Sequence, residues 1–185
     1  MSWGERRVIA VRLLVVCALG ALLGGCFQPM YASNDSIPGS PALHDKLAGI
    51  ELPTVRVSQA TDQRLAIAVK NALAFNLYGS ATGDSPTHRL EVTMSTTALS
   101  IIVDNTSGRP DIQDYGIDAN YTLREIATGK AVVTGSTFSR VSFDIPGQEQ
   151  RFARARALRD AEDRATQQIA DNISRRLASY FVAGS

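Results

Sequence analysis

The spacing of apolar residues changes along the chain between two periods, which predict different secondary structures. Apolar residues at every third or fourth position predict helices, and alternating apolar and polar residues predict strands. In chain order these are a strand over residues 50–57, a helix over 62–78, strands over 88–103, 115–123 and 131–143, and a helix over about 150–180. The order β-α-β-β-β-α predicts a two-layer α+β fold, with two helices packed on one face of a four-stranded mixed sheet.

Glycine and proline positions, and one break in the apolar alternation, indicate where these elements end or become irregular. Gly79 is placed to end the first helix, and Gly129 in "ATGK" predicts a hairpin turn with a positive φ. Pro53 favours an edge position or a bulge for the first strand because proline has no backbone N–H to donate. Alternation in the second strand slips near Ala98 and Leu99, which predicts a bulge there.

The first 25 residues have the pattern of an export signal. Arg6, Arg7 and Arg12 precede an apolar run from Leu13 to Leu23, which is too short for a helix that spans a bilayer. Leu23-Gly24-Gly25 then leads into Cys26, a sequence that resembles the lipobox of bacterial lipoproteins. We therefore expect residues 1–25 to be a lipoprotein signal peptide, removed by cleavage before Cys26, although an ordinary secreted protein with a chance cysteine is the alternative.

Lipid attachment at Cys26 sets the expected organisation of the mature chain. The thiol would be diacylated and the new amino terminus acylated, which gives a firm membrane anchor. Residues 26–46, rich in Ser, Pro, Gly and Asp beyond Ser33, are predicted to be the lipidated N-terminus and a flexible tether. Residues 47–183 form the predicted domain. Cys17 lies in the signal peptide, so the mature chain has one cysteine and no internal disulfide.

Composition argues against several classes of function. The signal peptide holds three Arg and one Glu of the chain's 19 Lys+Arg and 18 Asp+Glu, which leaves 16 basic and 17 acidic residues and gives no support for nucleic-acid binding. His44 and His88 are the only histidines, so we predict no metal site and no cofactor apart from the lipid on Cys26. The sequence has no G-x-S-x-G, phosphate loop or H-E-x-x-H motif, and we predict that it is not an enzyme.

Two polar features of the predicted elements suggest contact surfaces. Arginines are frequent in the last helix, where they could bind anionic headgroups, but several have carboxylates four residues away and could be paired on a solvated surface. Hydroxyl side chains are frequent in the strands and would make one sheet face polar, as at Thr93, Ser95, Thr97, Thr134, Ser136, Thr137 and Ser139. Together with a lipid anchor, such a face would suit the polar interior of an outer-membrane β-barrel.

With these elements in place, nearly the whole mature chain resembles the LptE family of lipopolysaccharide-assembly lipoproteins. Residues 27–31, "FQPMY", are similar to its F-x-P-x-Y opening, and "QRLAIAVKNALAFNLYG" is similar to its first helix. "DYGIDANYTLREIATGKAVVTGS" resembles its Y-x-L…T-G…G hairpin, and "RFARARALRDAEDRATQQIADNISRRLASYF" its last helix. Phe27 departs from the pattern, since many relatives have glycine directly after the cysteine.

The resemblance implies a non-enzymatic lipoprotein, anchored in the outer membrane and facing the periplasm. It would assemble with and plug an LptD-like β-barrel that transports lipopolysaccharide, and would bind lipopolysaccharide during its delivery to the outer leaflet. Cations near loops would contact the glycolipid phosphates, and Arg109 is the first candidate, followed by Lys130 and Arg151. An auxiliary lipoprotein of an ABC-type lipid transporter is the alternative, and an envelope hydrolase is a third.

Overall fold

The computed structural model describes residues 43–59, 62–79, 85–103, 110–144 and 151–183. They form three helices and five strands. In chain order these are α1 (Leu43–Ala48), β1 (Ile50–Glu51), β2 (Arg56–Val57), α2 (Gln63–Tyr78), β3 (His88–Val103), β4 (Pro110–Glu125), β5 (Ala131–Asp144) and α3 (Arg151–Ala183).

The strands form one mixed sheet, in the order β1-β3-β4-β5, with β2 also beside β3. Both β1 and β2 run parallel to β3, whereas β3, β4 and β5 form an antiparallel meander. The predicted α+β class is confirmed. The single strand predicted over residues 50–57 is divided into β1 and β2, because Pro53 between them cannot donate to a ladder. Both pieces lie at the sheet edge, where Pro53 favours them.

The short helix α1 was not expected from the sequence. It begins at Leu43, within the last four residues of the predicted tether, and ends at Ala48, with Gly49 between it and β1. Leu47 is its buried residue, and Leu43 packs against the core. Six residues are too few for a periodicity argument, so the pattern that revealed the longer helices could not reveal this one.

Helices α2 and α3 cover the same face of the sheet and run side by side in the same direction. Arg64 forms an ion pair with Glu162 at one end, and the Asn76 amide donates to Asp171 Oδ1 (2.9 Å) nearer the other. The apolar stripe of α3, with residues three or four positions apart, is largely buried, and Ile169, Ile173 and Leu177 are fully enclosed. Small residues in that stripe, such as Ala161 and Ala165, allow the helix to pack closely on the strands.

The far end of β3 extends beyond α2. The Thr96 hydroxyl donates to Asp62 Oδ2 (2.8 Å), one residue before α2 begins, and residues 97–100 are all exposed. Alternation stops near Ala98 and Leu99 because α2 no longer covers the strand, and the register there stays regular. The predicted bulge is present slightly further on, between Ser100 and Val103.

Two glycines end elements as predicted. Gly79 has φ +68° and its N–H donates to the Phe75 carbonyl (2.9 Å), which closes α2. Gly129 has φ +69°, and its N–H donates to the Glu125 carbonyl (2.8 Å) in the turn between β4 and β5. A side chain is strained at positive φ, so both turns favour glycine. Within the described ranges, no helix is both long and apolar enough to cross a bilayer.

Candidate functional site: the open face of the sheet

The sheet has one face under the helices, which we call the covered face, and one face that no helix of the described residues covers, which we call the open face. Leu90, Ile117 and Val141 point to the covered face and are buried. Side chains alternate along a strand, so the open face carries the odd-numbered residues of β3 from Arg89 to Leu99 and the even-numbered residues of β4 and β5 opposite them. This alternation makes the open face the polar face of the sheet, whereas the covered face is largely apolar.

Hydroxyl and amide side chains form the middle of the open face. One row crosses the whole sheet through paired positions, from Arg56 on β2 to Thr93, Asn120 and Ser136. All four side chains are exposed. The polar face that the strand pattern predicted is therefore present.

Two of the predicted hydroxyls lie on the other side of the sheet. Thr137 and Ser139 have the parity of the covered face, and α3 residues satisfy their hydroxyls. Ser139 Oγ donates to Gln168 Oε1 (2.6 Å), and Asn172 Nδ2 donates to Thr137 Oγ1 (3.2 Å). The consecutive run of polar residues in β5 therefore serves both faces, and only its even-numbered members belong to the open face.

Six charged side chains of the open face are paired between neighbouring strands. Three ion pairs connect β1 to β3, β3 to β4 and β4 to β5, namely Arg89–Glu51 (2.9 Å), Arg124–Glu91 (3.5 Å) and Arg140–Asp118 (2.9 Å). Each of these side chains is about half exposed to solvent. Each pair therefore contributes at most about 1 kcal/mol to stability. Their main effect is to leave a polar surface of nearly balanced charge.

One aromatic side chain interrupts this polar surface. Phe138 is 67 % exposed, and the Arg140 guanidinium lies over its ring, 5.6 Å from the centroid. Arg140 donates to both oxygens of Asp118 (2.9 Å) and to the Ser139 carbonyl (3.0 Å), which fixes its position. Gly116 makes room for it, because a Cβ there would lie 2.9 Å from Arg140 Cδ. An exposed aromatic beside a fixed arginine is typical of a protein-interface anchor.

Phe138 and Arg140 are not among the site residues predicted from the sequence, although the sequence carries a signal for them. In "STFSR" the phenylalanine occupies a position with the same parity as Ser136 and Arg140. An apolar residue at a polar position of an alternating strand is a candidate contact residue.

The candidate lipopolysaccharide-binding cations are distributed over the two ends of the sheet. Lys130 is exposed directly before β5, and Arg151 is exposed at the first position of α3, after β5. A strand of 14 residues separates them, roughly 45 Å of extended chain. They therefore cannot form one phosphate site together. Arg109 and the predicted lipidation residue Cys26 lie outside the described residues.

The arginines of α3 are partly paired, as the spacing indicated. Arg164 Nε donates to Asp160 Oδ2 (2.9 Å), one of the expected pairs four residues apart, and the Arg175 guanidinium contacts Asn172 Oδ1 (2.9 Å). In the first turns of the helix, Arg151 and Arg154 are exposed. Of the pairs expected four residues apart, only Arg164–Asp160 forms among the described residues, and Arg156, Arg159 and Arg176 are exposed without an ion pair. Unpaired cations therefore occur along much of α3.

The titratable groups with shifted pKa lie on the covered face. Burial raises the pKa of Tyr115 to about 12, with a further contribution from Glu162. Burial lowers the pKa of His88, whose ring packs edge-on against Phe181 (centroids 5.4 Å apart). These shifts reflect packing between the layers. Among the described residues, no group of three or more His, Cys, Asp or Glu side chains is arranged to hold a metal ion.

Solved structures show which class of protein has this fold. A lipoprotein from Caulobacter crescentus CB15 matches with a TM-score of 0.57 and 20 % identity, over 77 % of this chain and 97 % of that one. The rare lipoprotein B from Shewanella oneidensis matches with a TM-score of 0.51 and 17 % identity, over 72 % and 98 %. No curated protein matches the chain. The chain thus shares the two-layer α+β fold of these two lipoproteins.

The chain belongs to the LptE family, described as lipopolysaccharide-assembly, which matches residues 52–177. That range includes all of α2 and the meander and most of α3. Family membership confirms the resemblance found in the sequence, and it assigns the chain to lipopolysaccharide assembly as an outer-membrane lipoprotein.

Proposed function

We propose that this protein is a non-enzymatic, lipid-anchored subunit that plugs the lipopolysaccharide-transport β-barrel of the outer membrane. In this role it supports barrel assembly and binds lipopolysaccharide during delivery to the outer leaflet. The observation that supports the plug most directly is the open face, a broad polar surface that α1, α2 and α3 leave uncovered. Cys26 would carry the lipid that holds the domain at the membrane, facing the periplasm.

The chemistry of the open face fits a barrel interior better than it fits an apolar interface. The inner wall of an outer-membrane barrel is polar, and a protein enclosed there must offer hydrogen-bonding groups. Thr93, Asn120 and Ser136 offer such groups in one row, and the paired charges around them need no charged partner. Interfaces of this kind gain specificity from many polar contacts, with a few aromatic and arginine anchors.

Lipopolysaccharide binding is the second part of the proposal. The glycolipid carries phosphates, which guanidinium and ammonium groups bind well. Arg109, Lys130 and Arg151 are the candidates, and the separation of Lys130 from Arg151 implies two contact regions at opposite ends of the sheet. Reversal of charge at Arg109 and Lys130 together is expected to weaken binding of purified lipopolysaccharide. Unchanged binding would exclude that assignment.

The barrel proposal is tested by crosslinking in intact cells, extraction in detergent, and identification of the protein joined to the full-length chain. A lipopolysaccharide-transport barrel supports the proposal. An ATPase and a permease would instead support the auxiliary lipoprotein of an ABC-type lipid transporter, the alternative considered from the sequence.

A matched pair of variants tests whether the open face makes the contact. Asn120→Trp places an indole at the centre of that face, whereas Asp163→Trp places one on the exposed side of α3. Asn120→Trp is expected to reduce the recovered barrel about tenfold, equivalent to ~1.4 kcal/mol, and Asp163→Trp to leave it unchanged. Equal recovery with both variants would show that the open face is not the contact.

A further inference from the structure

The two edges of the sheet are built differently. On one side, β1 and β2 have two residues each with Pro53 between them, and beyond Met94 the edge is formed by β3 itself. On the other side, β5 has 14 residues, without proline or lysine. Among the described residues, β5 pairs only with β4. A long row of backbone N–H and C=O groups therefore faces outward along β5.

An unprotected edge of this length needs a physical explanation. Natural sheets limit their edges with short strands, prolines, lysines or a covering element, because a free edge pairs with other chains. The short strands β1 and β2 follow this rule, whereas β3 beyond Met94 and the whole length of β5 do not. Helix α3 packs over the covered face beside β5, where it contacts Thr137 and Ser139, and these contacts do not pair the backbone of the outer edge.

Side-chain contacts are available on both faces beside the β5 edge. On the open face, Phe138 is exposed and Arg140 holds its guanidinium over the ring. On the covered face, a groove of about 430 Å³ lies between the start of β5 and the end of α3, with Val132, Tyr180 and Arg176 in its lining. A strand added along β5 would point its side chains alternately to the open face, where Phe138 lies, and to the covered face, where this groove lies. Backbone pairing with flanking side-chain pockets is how sheet edges recognise extended peptides.

We propose that β5 is a docking edge that accepts an extended segment of the barrel partner. This inference rests on the proposed function. It identifies the strand of the domain, and the part of the partner, that pair with each other. The segment belongs to a loop of the barrel, because each wall strand of a closed barrel is already paired on both sides. Phe138 anchors the segment on the open face, and the groove beside Val132 receives an apolar side chain on the covered face.

The experiment is a register scan with a photo-crosslinking amino acid in the full-length chain, expressed in cells that contain the barrel. It is placed in turn at Thr134, Ser136 and Phe138, whose side chains alternate along β5 on the open face. Arg56 is the control, since it lies in the same cross-sheet row as Ser136 but at the opposite edge. Strand pairing predicts that the three β5 positions crosslink to one loop of the barrel, at sites that advance by about two residues per step.

A substitution test accompanies the scan. Ser136→Lys introduces the charge that natural edges use for protection, and Phe138→Ala removes the anchor. Each is expected to lower the recovered barrel about tenfold. Thr93→Lys, in the same row but away from the β5 edge, is expected to have a smaller effect. Circular dichroism should show the same unfolding transition for all three variants as for the unsubstituted chain.

The outcomes separate this inference from the proposed function. If the unsubstituted chain recovers no barrel, the proposed function fails and the docking edge fails with it. If the barrel is recovered but the β5 positions crosslink to scattered wall residues, or Ser136→Lys and Phe138→Ala have no effect, only the docking edge is wrong. Crosslinks from β5 to a second copy of the chain, or to its own residues 26–42, would also overturn it.

Discussion

Gly135 is the position where a single methyl group tests the packing of the covered face. It lies opposite Tyr121, whose phenol ring crosses over it. A Cβ at Gly135 would lie 2.6 Å from Tyr121 Oη and 2.8 Å from Cζ. The tyrosine is 5 % exposed and cannot move aside easily because its ring is rigid and enclosed. We therefore expect Gly135→Ala to be destabilising, although glycine itself is a poor strand former.

Two opposing contributions determine how much Gly135→Ala changes the free energy of unfolding. Alanine restricts the unfolded chain more than glycine does, which stabilises the fold by about 0.4–1 kcal/mol. Overpacking against an immobile ring costs about 1–3 kcal/mol. The overpacking is the larger contribution, so Gly135→Ala should lower the free energy of unfolding by about 1–2 kcal/mol. With a urea m-value of roughly 1–3 kcal/mol/M, the midpoint should fall by about 0.5–1 M.

The assay is urea unfolding followed by circular dichroism, carried out as a double-mutant cycle with Tyr121→Leu. Replacement of the ring by a flexible side chain should remove most of the penalty of Gly135→Ala. If Gly135→Ala is neutral in the unsubstituted chain, or equally destabilising in both backgrounds, the close approach of Tyr121 does not constrain residue 135.

Three further predictions concern the covered face. Because burial lowers the pKa of His88, the unfolded chain binds more protons below about pH 6.5, so the free energy of unfolding should fall as the pH decreases through that range. His88→Gln should reduce this slope, measured by urea unfolding between about pH 5 and 7.5, and an unchanged slope would contradict the assignment. The pKa of Tyr115 rises from 10.0 to about 12, so its contribution to stability is complete below pH 10 and is lost as the pH rises towards 12. Tyr115→Phe should therefore make alkaline unfolding less steep, and an equally steep transition would refute this. Ser139→Ala should lower the free energy of unfolding by about 1 kcal/mol through loss of the bond to Gln168, whereas Ser136→Ala, the exposed control, should change it by less than about 0.5 kcal/mol.

The elements that could be predicted are those with a long repeated pattern. The two long helices and the three meander strands each carry several apolar residues at a constant period. This period arises because each element buries one of its faces against the core. Gly79 and Gly129 were predictable because positive φ favours glycine. Helix α1 has one buried residue, Leu47, and short elements of that kind leave no period to read.

The division of the first strand shows the limit of local reasoning. Pro53 indicated an edge or a bulge, and both β1 and β2 lie at the edge. Whether the strand continues through the proline depends on the neighbouring strand, since β3 can pair with residues on either side of a gap. That information is not local to residues 50–57.

The polar surface could be predicted in kind but not in position. Period 2 divides the residues of a strand between two faces, but the sequence does not state which face the helices cover. In β5 polar residues occur at both odd and even positions, so the sequence alone did not show which of them face solvent. Helix α3 covers the odd-numbered positions and buries Ser139. The sequence shows that Phe138 shares the parity of Ser136 and Arg140, and its pairing with Asp118 then places it on the open face. A contact surface of this kind depends on strand register as well as composition, and strand register depends on residues far apart in the chain.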